Sequence, residues 1–456
     1  MTGRPAFILP VVLVLVGLLA VTMAGFMFFV RSELAGIQAQ RDAQQARLAA
    51  ESGLEEVITV LRASPNDPTA WFDLPERFRH ALVWAESYDR SEDPVRKMGS
   101  RKEILASSNP PAAWRYSVVA QNLDGLPQTM RFGVTPEAGK LNLNAASESE
   151  ITALLTPLLL ELQVENASEL IAGLLDWLDE DQTPRPGGGE NEYYNNLEPG
   201  YNAKNGPLDT LEEILLVKGW TAAMLYGEDT NRNGLLDANE DDGAGSFPYY
   251  DNADGILNHG IAPYVTVWSR EPRVTTQSGT EGSRSGPQQP AGQEEGLEEG
   301  GKTERQQSMQ PGPGGPSGQP TGSKGRTQVV EGLVNINAAP LRVLMALDDM
   351  PEDVAQRIVA LRSELDGETL TEPDWPVKAG AMDEATYQNL ADRITTRALQ
   401  FHVEIVGYGD HTKLARRYEW IIEMRGSLAQ VLYHRDLTAL GFAWPVDDDT
   451  VIIRSH

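Results

Sequence analysis

Gly139-Lys140-Leu141-Asn142-Leu143-Asn144-Ala145-Ala146 returns further along the chain as Gly332-Leu333-Val334-Asn335-Ile336-Asn337-Ala338-Ala339. In both, apolar residues alternate with Asn, which is the period of a short extended segment. An apolar helical pattern follows each. It runs through Ile151, Leu154, Leu155 and Leu158 after the first, and through Leu341, Leu344, Leu347, Val354, Ile358 and Leu361 after the second. Ser147 suits a helix N-cap, and Ala339-Pro340 places proline in a first helical turn. Two copies of one pattern predict two small helical subdomains of common ancestry, 139–263 carrying the first and 326–398 the second.

Strand-like segments lie around the copies. Trp114–Val119 and Tyr264–Trp268 alternate or are β-branched, Phe401–Tyr408 and Tyr418–Met424 read as a hairpin, and Gln430–Tyr433 adds one more strand. These predict an antiparallel sheet drawing on 63–138, 264–269 and 399–456, with the helical copies inserted between its strands. Residues 270–325 are rich in Gly, Ser, Gln, Glu and Pro and almost free of aliphatics. Such a segment buries too little surface to offset its ordering entropy, and it reads as a disordered insertion.

No charged side chain occurs from Ala6 to Val30. About 25 residues in a helix span roughly 37 Å, enough to cross a bilayer. A cleaved secretory signal is the alternative, but it would have an overlong apolar region and no clean small-x-small site. The flanking charges, Arg4 on one side and Arg31 with Glu33 on the other, orient the segment poorly. Past Arg31 the helical pattern continues through Ala43, Ala46, Ala50, Leu54, Val57 and Leu61, an amphipathic stripe. A helix apolar at its start (7–30) and amphipathic later (31–62) resembles the stem of a type IV pilin or pseudopilin. A plain anchor with a helical stalk is the other reading. A pilin stem requires prepilin peptidase to remove a leader, here 1–6. Cutting between Ala6 and Phe7 leaves an apolar residue first and makes Pro10 the fourth residue, where a helix has no N–H to lose. Ala before the cut departs from the usual Gly. The fifth residue is then Val11, where most pilins carry Glu.

Composition excludes several classes. With 38 basic and 66 acidic side chains the net charge is −28, which opposes phosphate-backbone binding. The absence of Cys excludes disulfides, thiolate metal sites and thiol nucleophiles.

A more specific resemblance rests on the order Asp176-Trp177-Leu178-Asp179-Glu180-Asp181, Pro184-Arg185-Pro186-Gly187-Gly188-Gly189-Glu190-Asn191-Glu192-Tyr193-Tyr194, Tyr201-Asn202-Ala203-Lys204-Asn205-Gly206-Pro207-Leu208 and Leu211–Gly219. With the anchor, Arg31-Ser32-Glu33-Leu34, Ala49–Glu55 and both Asn-x-Asn-Ala-Ala segments, it resembles type II secretion system protein K, a minor pseudopilin of the general secretion pathway. The resemblance covers nearly the whole chain outside 270–325, and Val11 agrees with a family that lacks the Glu. It implies an α+β fold: a transmembrane and amphipathic stem helix on an antiparallel pilin-like sheet, with an inserted two-part helical domain of SAM-like or helix-hairpin-helix-like character. It implies assembly and not catalysis. The protein would be a single-pass inner-membrane subunit with its bulk in the periplasm, joining minor pseudopilins I and J at the tip of the pseudopilus and serving the secretion machinery. A pilin-like tip protein of a related filament system is the second reading.

One motif carries metal chemistry. Asp229, Asn231, Asn233, Gly234, Leu235, Asp237 and Glu240 occupy positions 1, 3, 5, 6, 7, 9 and 12 of a calcium loop. Hard oxygen ligands at alternating positions, Gly at the bend, the Leu235 carbonyl and a bidentate Glu at twelve are what Ca²⁺ needs. The run Leu211–Leu225 reads as an entering helix, and no exiting helix is expected, so an isolated structural Ca²⁺ loop is predicted. An acidic surface turn is the alternative. Asp251-Asn252-Ala253-Asp254-Gly255 is a second possible ligand source. Asp176, Asp179, Glu180 and Asp181 have no nucleophile, phosphate loop or His beside them, and read as a capping or cation-holding surface. His259, His402 and His411 lack metal-like spacing. The Asn-x-Asn-Ala-Ala segments resemble helix-hairpin-helix modules, but the matching turns, Leu154–Pro157 and Asp348-Asp349-Met350-Pro351, lack the phosphate-holding glycines. No nucleic-acid function is expected.

Overall fold

In the computed structural model, residues 8–85, 112–124, 130–248, 250–275, 326–412 and 414–441 are described. The Ala6–Phe7 junction and residues 276–325 of the expected insertion lie outside them.

Helix α1 (Ile8–Ala63) is continuous for 56 residues, roughly 84 Å. Its apolar first half is exposed through Val11–Val30, and burial begins at Ala46. The stripe that buries is built of small residues, Ala46, Ala49, Ala50 and Gly53, followed by Val57, Val60 and Leu61. Small side chains let the helix backbone lie directly on the sheet. Opposite them, a Cβ on Gly407 would fall 2.0 Å from the Ala46 carbonyl oxygen, and one on Gly53 would fall 2.7 Å from the Tyr116 ring. The stem and sheet thus meet where neither side has room for another methyl group.

The sheet is antiparallel, in the order β1 (Ala81–Ala85), β2 (Ala113–Gln121), β11 (Gln400–Gly409), β12 (Ala415–Arg425), β13 (Leu428–Asp436). The expected hairpin is present, with Phe401 opposite Ile422 and Val403 opposite Trp420. Short strands β3 (Met130–Arg131) and β4 (Thr135–Pro136) pair with β2 and β11. The chain leaves after β4 and returns at β11, so both helical copies are inserted between sheet strands. The α+β class follows: a stem helix on one antiparallel sheet plus an inserted helical part.

The two copies fold alike. In the first, β5 (Leu141–Asn142) leads to α2 (Glu148–Glu161) and α3 (Ala167–Leu178), and β6 (Val265–Thr266) closes it in parallel against β5. In the second, β9 (Val334–Asn335) leads to α4 (Leu341–Ala346) and α5 (Glu352–Leu361), and β10 (Ile394–Thr395) closes in parallel against β9. The first Asn of each pair, Asn142 or Asn335, donates to a carbonyl after the closing strand, Ser269 or Arg397. The second, Asn144 or Asn337, donates to Leu208 or Leu370. The repeated Asn residues satisfy buried backbone that two-residue strands leave unpaired. Leu141, Leu154, Leu174, Val334, Leu344 and Ile358 belong to one continuous core, so the copies are a single packed body.

Two expectations are corrected. The segment 264–269 does not join the pilin-like sheet. Val265 and Thr266 are both buried and are taken up by β5, with Leu141 N–H donating to the Tyr264 carbonyl and Leu143 N–H to that of Thr266. Leu154–Pro157 is not a turn but lies inside α2. Ser147 starts that helix strongly, accepting from the Glu150 N–H while Glu150 accepts from the Ser147 N–H, and four buried Leu side chains hold it past Pro157. In the second copy Pro340 sits just before α4, and Asp124 accepts from the Leu341 N–H at 2.9 Å.

The chain divides into two units, Met1–Glu271 with Glu331–His456, and Pro272–Val330. Strands β7 (Arg270–Thr275) and β8 (Arg326–Glu331) pair as a two-stranded ribbon.

Candidate calcium loop

The loop from Asp229 to Glu240 is assembled by its own oxygens. Asp229, 2% exposed, accepts from the Asn233 N–H at 2.8 Å and the Gly234 N–H at 2.9 Å. Asn231 Oδ1 accepts from the Asn233 N–H, and Asn233 Oδ1 from the Leu235 N–H. Both Asn amides donate to Asp237 Oδ2, at 2.6 and 3.0 Å. Glu240, 1% exposed, reaches back across the loop and accepts from the Thr230 N–H and hydroxyl. All the side chains of the motif therefore converge. Gly234 has φ +71°, and a Cβ there would lie 2.6 Å from Gln121 Cγ, so the bend position accepts only glycine.

The sheet holds this loop from beneath. Gln121 of β2 donates to Asp229 Oδ2 at 3.1 Å. The buried Arg417 of β12 donates to the Asn231 and Arg232 carbonyls and to Glu404. Neither residue is close to the motif in sequence, and sequence reasoning missed both.

The environment fits a divalent cation. The donor set is all oxygen, and two carboxylates are buried in one loop. Burial pushes Asp229 up to about 7, with Glu240's charge adding to it, and burial likewise raises Glu240. The nearby Arg417 is committed to carbonyls and Glu404. A cation among the oxygens would supply the charge that removes both penalties.

The surroundings differ in part from expectation. Leu211–Leu225 is not one helix: a 3₁₀ turn covers Leu211–Leu216 and a short helix Ala222–Tyr226. Gly219, at φ +79°, separates them. A 3₁₀ turn, Ala238–Glu240, ends the loop. The 251–255 turn spends its oxygens locally, Asp251 accepting from the Gly243 and Ala253 N–H groups and Asp254 from that of Ile256. Glu228, buried and unnoticed in the sequence, fastens that turn by accepting from Asn252 and Asn258.

The other acidic residues separate by role. Asp176 is fully buried and accepts from the Arg185 and Gly189 N–H groups and from the Arg185 guanidinium. It fixes the glycine-rich loop. His402 pairs with Glu419 at 2.8 Å. Burial opposes charge on Glu419, but the His402 bond and charge outweigh it and bring the carboxyl to about 2. His259 is depressed to about 4 by burial, and His411 packs edge-on against Trp114. Asp348, in the second copy's turn, accepts from Ser147 and Ser149 of the first. That turn is occupied in joining the copies.

Residues 139–226 match the family model "Type II secretion system (T2SS), protein K", first domain. This part of the chain is thus similar to the protein K domain of the type II secretion system, and the resemblance read from the motifs is borne out there. Among curated relatives, type II secretion system protein K of Klebsiella pneumoniae is 41% identical over 58 residues, 13% of this chain and 18% of the relative. The match therefore spans under a fifth of that relative's length. A solved structure, the GspK-GspI-GspJ complex from the enterotoxigenic Escherichia coli type 2 secretion system, aligns over 88% of this chain and 98% of its own. Identity is 14% and the TM-score 0.37, a likeness that carries no argument. Among the described residues, one helix, Pro10–Ala63, is long and apolar enough to cross a membrane.

Proposed function

We propose that the chain is a minor pseudopilin of the protein K type. It is anchored in the inner membrane by α1, carries its bulk in the periplasm, and caps the pseudopilus tip together with minor pseudopilins I and J. The observation that carries this reading is the family match over 139–226. A stem whose exposed apolar half precedes a half packed on an antiparallel sheet supports it, because the first half is suited to a bilayer and the second presents the folded head. The role is assembly and not catalysis. Prepilin peptidase is proposed to cut between Ala6 and Phe7.

The 229–240 loop is proposed to hold a structural Ca²⁺ through Asp229, Asn231, Asn233, the Leu235 carbonyl, Asp237 and Glu240. When bound, the ion supplies the positive charge that two buried carboxylates need. Gln121 and Arg417 orient the loop so that its oxygens stay together.

Affinity purification of the full-length chain from membranes of cells that also make proteins I and J tests the assembly. Co-recovery of both is expected. Recovery of the chain alone, with I and J found together elsewhere, would contradict the proposal.

A further inference from the structure

Side chains along β11 and β12 alternate between the two faces of the sheet. Val403, Ile405, Trp420 and Ile422 pack in the core that holds the stem helix. Their neighbours His402, Glu404, Glu419 and Ile421 face the other way and, with Tyr433 of β13, line a cavity. Its opposite wall is the inserted helical part, through Glu137, Leu211, Val265 and Trp268. The cavity measures about 250 Å³. A cavity of about 150 Å³ already takes up benzene, so an aromatic ring carrying a polar group has room here.

The charges lining this cavity do not balance. Each lining carboxylate is already engaged. Asp124 is held by Arg362, Glu137 by Lys140, Glu212 by Arg435, Glu404 by Arg417 and Glu419 by His402. Asp229 accepts from Gln121 and from amides of its own loop. Two lining guanidiniums, by contrast, touch no carboxylate among the described residues. Arg131 of β3, 5% exposed, donates to the Phe72 and Val134 carbonyls and to the Thr135 hydroxyl, and its Cζ lies 3.9 Å from the centre of the Phe72 ring. Burial brings it down to about 9, with the Arg362 charge adding to the effect and Asp73 opposing it. Arg232 lies over the Tyr226 ring at 3.6 Å, and among the described residues its guanidinium makes no hydrogen bond. The carboxylates that act on Arg232, Glu419 and Glu212, are the ones already held by His402 and Arg435. A cation withdrawn from water without an anion is costly. His259, also in the lining, leaves its buried Nδ1 without a partner among the described residues.

We propose that this cavity binds a small organic anion, an aromatic or apolar body bearing a carboxylate or phosphate group, between the sheet and the inserted helical part. A guanidinium presents paired N–H donors that match either group. Arg232 meets the anion with donors that nothing else in the chain uses. Arg131 adds a second, more deeply buried positive charge to the same cavity. Trp268 and Tyr433, whose ring centres are 6.3 Å apart, cover the apolar body together with Ile421. Bound there, the anion touches both the stem-bearing sheet and the helical part.

Calorimetric titration of the full-length protein in detergent with benzoate, with phenyl phosphate and with neutral benzamide tests this. At least one of the two anions should bind about tenfold tighter than benzamide, and the tighter one identifies the group as carboxylate or phosphate. Arg232→Gln should weaken that anion on the order of tenfold and leave the melting temperature of the unliganded protein little changed, because this guanidinium bonds to nothing else in the fold. Arg232→Lys, which keeps the charge and loses the paired donors, should fall between the two. Anion affinity unchanged in both variants would overturn the proposal. So would benzamide binding as tightly as the anions, or no binding of either anion.

Discussion

The first and second helical copies begin from the same eight-residue pattern and the same parallel strand closure, yet they spend the material between differently. The second copy connects β9 to β10 through short helices that Asp366 and Asp383 cap, packed on a core in which Trp375 is buried against Asn337. The first uses its longer connection for loops held by charge: Asp176 with Arg185, the gathered carboxylates of Asp179, Asp181 and Glu190, and the oxygen-lined turn at 229–240. One scaffold therefore carries a copy stabilised by apolar packing and a copy whose loops depend on compensating buried carboxylates. The difference teaches where each should fail: the second on loss of a packed polar anchor, the first on loss of counter-charge.

The strongest perturbation should be at the link between them. Glu150 of the first copy is fully buried, and its carboxylate is held by Arg393 of the second. Arg393→Met leaves that charge unpaired and should cost about 3–5 kcal/mol by denaturant unfolding. A loss below about 1 kcal/mol would mean that the copies are not coupled through this pair.

The matched Asn residues sharpen the contrast. Asn337 accepts from the buried Trp375 Nε1 and donates to the Leu370 carbonyl. Asn337→Ala should cost about 3 kcal/mol, because an indole N–H and a carbonyl are left dry. Asn144 is half-exposed and bonds only to Leu208 backbone, so Asn144→Ala should cost about 1 kcal/mol. Equal losses at the two positions would break the asymmetry.

Calcium should act on the first copy alone. Saturation at a hundred times Kd should stabilise by about 2.7 kcal/mol, and Glu240→Ala or Asp229→Ala should abolish most of that gain. Protein melting identically in calcium and in chelator would show the loop to be only a turn. Without the ion, stability should depend on pH with a definite sign. Asp229 is raised to about 7, so the folded state binds its proton more tightly than the unfolded chain does. Its contribution is full below about pH 4 and is lost as pH rises through 7. Chelated protein should therefore unfold more readily at pH 8 than at pH 5, and calcium should reduce or reverse that trend.

Much of this was legible in the sequence where the pattern is periodic. The stem stripe, the β11–β12 hairpin and the repeated Asn segments each carry a period of their own. The closing strands were not legible: two residues of Val-Thr or Ile-Thr give no alternation to count, and Tyr264–Trp268 looked like sheet. The Leu211–Leu225 pattern suggested a helix because its leucines recur correctly, but Gly219 breaks it. In the candidate calcium loop the motif supplied the side chains that meet. The supports Gln121 and Arg417 lie on distant strands, and no local signal marks them.

The position of the chain in a filament is the central claim, and Val11 gives it a direct test. An unpaired charge within a bilayer is costly, by about several kcal/mol. A tip subunit has nothing above it whose amine needs a Glu, whereas its own amine would receive the Glu of the subunit below. A photo-cross-linker placed near Phe7 in the full-length protein should capture a different minor pseudopilin, protein I, and no second copy of this chain. Self-cross-linked ladders, or labelling along the whole filament, would contradict the tip assignment.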